Sequence, residues 1–151
     1  MIANIANLPE YTVAEGFQIK RVYPTDRERV KAFIRAHFSE GWALEAEYAM
    51  LQEVPKCFIA TRDKEICGFA CYDATAKGYF GPIGVRGDLR GYGLGRALLL
   101  RALHALANEG YCYAIIGWVG SAEHFYRKCV GAEYAPNGTP QHTVYNNMID
   151  V

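Results

Sequence analysis

Apolar positions recur along the chain with two different periods, and the changes between them mark its elements. Gln18-Ile19-Lys20-Arg21-Val22 alternates and predicts a short strand. Tyr23-Pro24-Thr25-Asp26 then reads as a helix start, with Thr25 or Asp26 as cap, because Val30, Phe33, Ile34 and Phe38 follow at helical spacing. A second helical run after Gly41 carries Trp42, Leu44, Ala46, Tyr48, Ala49 and Leu51 and stops at Pro55. Extended runs follow at Cys57 to Thr61 and Ile66 to Tyr72, and the polar Arg62-Asp63-Lys64-Glu65 between them predicts a hairpin. Tyr79 to Val85 continues the meander. Gly81, Pro82 and Gly84 would interrupt an ordinary ladder there, which predicts a bulge or a splayed edge with a ligand alongside.

From Tyr92 to Asn108 the pattern is helical and apolar nearly all round, with Arg96, Arg101, His104 and Asn108 on one polar stripe. Such a helix is largely buried. Gly110 ends it, and the uncharged Cys112 to Gly117 reads as a central strand. Ala122 to Cys129 predicts a short helix stopped near Gly131, and Thr143 to Ile149 a last strand beyond the Pro136 to Pro140 loop. Met1 to Gly16 shows no period and reads as an irregular arm.

Composition narrows the class. A chain of 151 residues, 51% hydrophobic and 21% charged, fits one globular domain spanning 1–151 with a full core. Sixteen basic residues balance sixteen acidic ones without a basic run, so nucleic acid is not an expected partner. There is no signal-peptide pattern at the N-terminus and no apolar stretch approaching the ~20 residues of a membrane span. A soluble cytoplasmic protein without membrane association is expected. Cys57, Cys67, Cys71, Cys112 and Cys129 include no CxxC pair and no histidine at zinc-site spacing, so they read as reduced thiols, four of them in apolar strand-like runs, and no metal is expected.

The most informative segment is Arg90-Gly91-Tyr92-Gly93-Leu94-Gly95-Arg96, which runs straight into the long helix. Helix N-termini carry unpaired N–H groups and the positive end of the dipole, so a diphosphate can sit there if the backbone is allowed close. Glycine allows that approach and permits positive φ where the loop curls. Arg90 and Arg96 flank the loop and can add charge-assisted contacts. The segment is not a P-loop, because Arg96 and Ala97 follow Gly95 where Lys and a hydroxyl are required. Nor is it a dinucleotide fingerprint: the third glycine comes one place early, and the strand after the helix runs into Trp118 without an acidic residue.

The turn resembles motif A of the GCN5-related N-acetyltransferases, in which a strand leads to Arg or Gln, two residues, Gly, one residue, then Gly or Ala at a helix start. Arg90-Gly91-Tyr92-Gly93-Leu94-Gly95 matches it, the lead-in Ile83-Gly84-Val85 has the family spacing, and Phe125-Tyr126-Arg127-Lys128 resembles the later FYxK helix. Three positions depart from the family pattern. Gly87 stands where many members have proline, Gly131 lies one residue late after Tyr126, and Gly120-Ser121 replaces a frequent Asn.

The resemblance implies an α+β acyl-CoA N-acyltransferase fold, a three-layer arrangement with a mixed central sheet, a splayed and bulged strand pair, and flanking helices. It implies acetyl-CoA as co-substrate, held by the backbone of Ile83 and Val85 and by Arg90, Gly91, Tyr92, Gly93, Leu94, Gly95 and Arg96. It implies acetyl transfer to a primary amine by direct attack, with Tyr126 protonating the leaving thiolate. An aromatic wall of Trp42, Tyr48, Phe80 and Trp118 suits a small amine with an apolar or sugar-like body. No base is assigned. Tyr79 to Val85 contains no carboxylate, which leaves Glu40, Glu45, Glu47, Asp73 or a water chain, and His37, His104, His124 and His142 have no evident partner. Acetylation of a protein amine and a non-catalytic acyl-CoA-binding module are the alternatives, and a homodimer is compatible with a domain of this size.

Overall fold

The computed structural model describes residues 1–139 and 143–149; Pro140 and His142, named above, lie outside the described residues. Six strands form one mixed sheet: β1 Ile2–Asn4, β2 Gln18–Arg21, β3 Cys57–Arg62, β4 Glu65–Tyr72, β5 Tyr79–Val85 and β6 Tyr113–Ile116, in the order β1-β6-β5-β4-β3-β2. All neighbours are antiparallel except β5 and β6. Helices α1 Arg27–His37 and α2 Glu40–Met50 cover one face, where Val30, Ile34, Ala43 and Ala46 meet Ile59, Phe69 and Cys71. Helices α3 Leu94–Asn108 and α4 Glu123–Val130 cover the other, where Leu98, Leu99, Leu103 and Tyr126 meet Phe58, Ala70 and Phe80.

Local chemistry explains most boundaries. The β3–β4 hairpin turns on Asp63 and Lys64, both at positive φ, as a tight two-residue loop requires. The first helix enters through a 3-10 turn, Pro24–Asp26, and neither Thr25 nor Asp26 caps it through a side chain. The second is capped by Ser39, whose Oγ accepts the Trp42 N–H at 3.2 Å. In α3 the polar stripe faces outward as expected, while Leu94, Leu98, Leu99, Leu100, Leu103 and Leu106 are buried.

Three expectations are corrected. Residues 1–16 are not irregular throughout: β1 pairs with β6 on one side, and on its other side Ile2 and Glu133 exchange backbone hydrogen bonds at 2.7 and 3.0 Å. Because β1 occupies that edge, Thr143 to Ile149 does not add a strand; Val144–Asn147 forms a 3-10 turn, with the Thr143 hydroxyl accepting the Tyr145 N–H. Finally, β6 alternates between buried and exposed residues, since α1 and α2 cover β2 to β4 and leave Tyr113 and Ile115 outside. The adjoining Cys112 is exposed, while Cys57, Cys67 and Cys71 are buried free thiols.

A charged cluster closes the base of the sheet. Asp73, fully buried at positive φ, accepts the Gly78 N–H at 2.7 Å and the Lys56 ammonium at 2.7 Å, and Lys56 also binds Glu109 at 2.5 Å. Asp73→Asn tolerates the left-handed backbone and keeps the Gly78 bond but leaves Lys56 half-compensated. It should cost about 2 kcal/mol, read as a lower urea midpoint at unchanged slope.

Candidate active site

The site is built where β5 and β6 part. The two strands pair only at Tyr79↔Ile115 and Phe80↔Ile116, after which β5 continues to Val85 without a partner on that side. Against β4 the register advances by two residues from Ala70 to Tyr72 but by three from Phe80 to Ile83, so the extra residue sits at Gly81-Pro82 and bends β5. The hydrogen-bond alternation then fixes which groups are free. The Arg86 N–H bonds to the Cys67 carbonyl at 2.9 Å, so Gly84 points its backbone groups at β4 and Ile83 and Val85 point theirs into the opening. Such an edge can pair with an extended amide-bearing chain.

Gly84 has a separate role. A Cβ there would overlap the end of the Phe38 ring, which stacks on Trp42 at 5.6 Å.

The glycine turn stands at the open end. Gly91 and Gly93 have φ of 96° and 74°, and a Cβ on either would meet no protein atom within 4 Å. Gly93 is the N-cap of α3, no side chain caps the helix, and its first turn contains no acid. The N–H groups of the first turn therefore face outward with the dipole behind them, a cradle for an anion. Gly95 differs from its neighbours: its φ is not positive, and a Cβ there would make ordinary contacts with Phe125 at 3.6 and 3.7 Å. Arg90 and Arg96 are exposed, Arg96 reaching the Glu10 carbonyl at 3.5 Å, and Tyr92 packs on Phe17. The one acid in the preceding turn, Asp88, is held at about 2 by the Arg86 guanidinium, which grips it through two hydrogen bonds.

Tyr126 rises from α4 beneath the point where the strands separate, edge-on to Phe80 at 6.2 Å. Its hydroxyl has no hydrogen-bond partner among the described residues, although the side chain is buried. Burial pushes the phenol well above its ordinary value of 10, with Tyr145 and Cys129 adding to the effect. The phenol is therefore neutral, with its proton in place, around neutral pH.

The proposed acceptor wall is only partly assembled. Trp42 is half-buried between Phe38 and Phe69, and Trp118 stands exposed beside Tyr145 at 5.5 Å. Phe80, by contrast, is buried in the α3-side core, because the β5 alternation before the bulge turns it away from α2. Tyr48 is exposed on the outer face of α2. The structure also brings in Thr75 and Tyr145, which sequence alone did not single out; they lie 30 and 70 residues from their partners, with no local pattern to mark them.

This geometry meets a matching sequence profile, that of the acetyltransferase (GNAT) family, over residues 22–132. The chain belongs to that family. No curated protein matches it by sequence. Among solved structures, a GCN5-related N-acetyltransferase from Sphaerobacter thermophilus is similar at 19% identity and a TM-score of 0.69, over 85% of this chain and 45% of that one. The YhbS acetyltransferase of Escherichia coli, in complex with CoA, matches at 20% identity and 0.56 over 79% and 71%. An Arabidopsis thaliana protein bound to the bisubstrate analogue CoA-Ac-MVNAL matches at 18% and 0.56 over 75% and 81%. This GNAT chain thus spans less than half the length of the Sphaerobacter protein, and at these identities the likeness is one of fold. No helix among its described residues is long and apolar enough to cross a membrane, and none of their His, Cys, Asp and Glu side chains group as a metal site.

Proposed function

We propose that this GNAT chain transfers an acetyl group from acetyl-CoA to the primary amine of a small molecule, by direct attack of the amine on the thioester. One observation carries the reading: a buried phenol that has no hydrogen-bond partner among the described residues lies under a strand edge with free backbone groups, which leads to an uncapped glycine helix start. A pantetheine arm would pair with Ile83 and Val85, and a pyrophosphate would rest on Gly91 to Arg96. Tyr126 would give its proton to the departing sulfur. The half-open aromatic side at Trp42, Trp118 and Tyr145 favours a small apolar or sugar-like amine over a polycation. Five unpaired thiols fit a reducing, cytoplasmic setting.

Continuous detection of CoA thiol across a panel of monoamines, amino sugars, polyamines and peptide N-termini tests this. Turnover should be fastest with an apolar or sugar-like monoamine. Preference for peptides or polyamines would move the reading to another acceptor class.

A further inference from the structure

Acetylation of an ammonium requires a group to take its proton, and β5 offers no carboxylate. The carboxylates on the acceptor side separate clearly by their partners. Glu40 is gripped by Arg35 at 2.6 and 2.9 Å, Glu47 by Lys31 at 2.6 Å, and Asp73 by Lys56 and the Gly78 N–H. Each is paired with a structural cation. Glu45 is different. It is half-buried on α2 and, among the described residues, its hydrogen-bond partner is the Thr75 hydroxyl alone, at 2.5 Å. Thr75 Oγ1 also lies 3.3 Å from the Tyr145 hydroxyl. The Tyr145 ring in turn covers Gly117, where a Cβ would meet it at 2.8 Å. Gly117 follows Ile116, the last rung before β5 and β6 part. Glu45 is therefore joined by two polar contacts and one ring to the apex of the opening.

Resting on the acetyltransferase reading above, we infer that Glu45 is the acceptor-side carboxylate of this site, which receives the ammonium of the incoming amine and takes one proton from it. The neutral nitrogen then attacks the thioester carbon and the C–S bond breaks. Tyr126 protonates the leaving sulfur, and the proton lost by the new amide nitrogen restores the phenol. The first proton leaves from Glu45 to solvent. A carboxylate with no cation paired to it among the described residues, close to the Tyr145 ring, selects a monocation with an apolar body.

The surroundings suit a base. Burial raises the Glu45 carboxyl above the ordinary range, and the Thr75 bond opposes this only in part. The groups facing it are Cys71 on β4 and Tyr145, with Tyr79 behind Tyr145; the α1 cations Lys31 and Arg35 are engaged by Glu47 and Glu40. The rate should fall on acidification through a limb set above the usual carboxylate value.

The test compares wild type, Glu45→Gln and Glu45→Asp with the best amine of the panel, from pH 5 to 9, alongside calorimetric acetyl-CoA binding. Expected are a roughly 10²-fold loss of kcat/KM in the Gln variant, disappearance of its acidic limb, and acetyl-CoA affinity within about threefold. The Asp variant, which keeps the charge, should retain the limb at reduced rate. A Gln variant with the wild-type rate, or one slowed equally at every pH with its limb intact, overturns the assignment and leaves the acetyltransferase reading standing. Wild type that binds acetyl-CoA but acetylates no amine overturns that reading and this inference with it.

Discussion

Tyr126→Phe is expected to lower turnover by roughly 10²-fold while leaving acetyl-CoA affinity within about threefold. The side chain is almost fully buried against Phe80 and Phe125, so the ring of phenylalanine fills the same space and the fold is retained. The substitution removes only a hydroxyl that no described residue engages, so no buried partner is orphaned in the protein. An effect on rate must then come from the reacting groups. Single-turnover rates with acetyl-CoA saturating separate the chemical step from binding. Equal rates in the two proteins would return Tyr126 to a packing role.

Gly93→Val is expected to weaken acetyl-CoA binding by roughly 10²-fold or more. Two effects act together. The φ of 74° at this position is hostile to a β-branched residue, which strains the turn by about 1–3 kcal/mol. The new side chain also projects where no protein atom stands, into the space above the α3 N-terminus that the diphosphate needs. Gly95→Ala is the contrasting control. Its Cβ meets Phe125 at ordinary contact distance and its backbone is already helical, so fold and affinity should change little. Calorimetry on both variants, with melting temperatures in parallel, separates loss of the cradle from loss of the fold.

Much of this architecture was legible because it is written in local chemistry. Helical spacing marked α1, α2 and α3, the positive-φ turn lay between two extended runs, and the glycine segment announced a helix start open to an anion. The splay of β5 could be read from Gly81, Pro82 and Gly84, though not the reason for Gly84, which is the Phe38 ring from another helix. What escaped depends on distant pairing. Nothing in residues 1–16 says that β1 will occupy the free edge of β6, and that occupation is what denies Thr143 to Ile149 a strand. Phe80 belongs to the α3-side core and not to the acceptor wall, because its face depends on the bulge beside it and not on local pattern. In the same way, four carboxylates looked equivalent until the fold gave three of them cations and left Glu45 with Thr75.

The central claim is that the opening between β5 and β6 is an acetyl-CoA site, and titration of acetyl-CoA into the wild-type protein by isothermal calorimetry tests it most directly. A single site with a dissociation constant near micromolar, about −8 kcal/mol, is predicted. Absence of binding heat at several temperatures, with acetyl-CoA in the millimolar range, would contradict it.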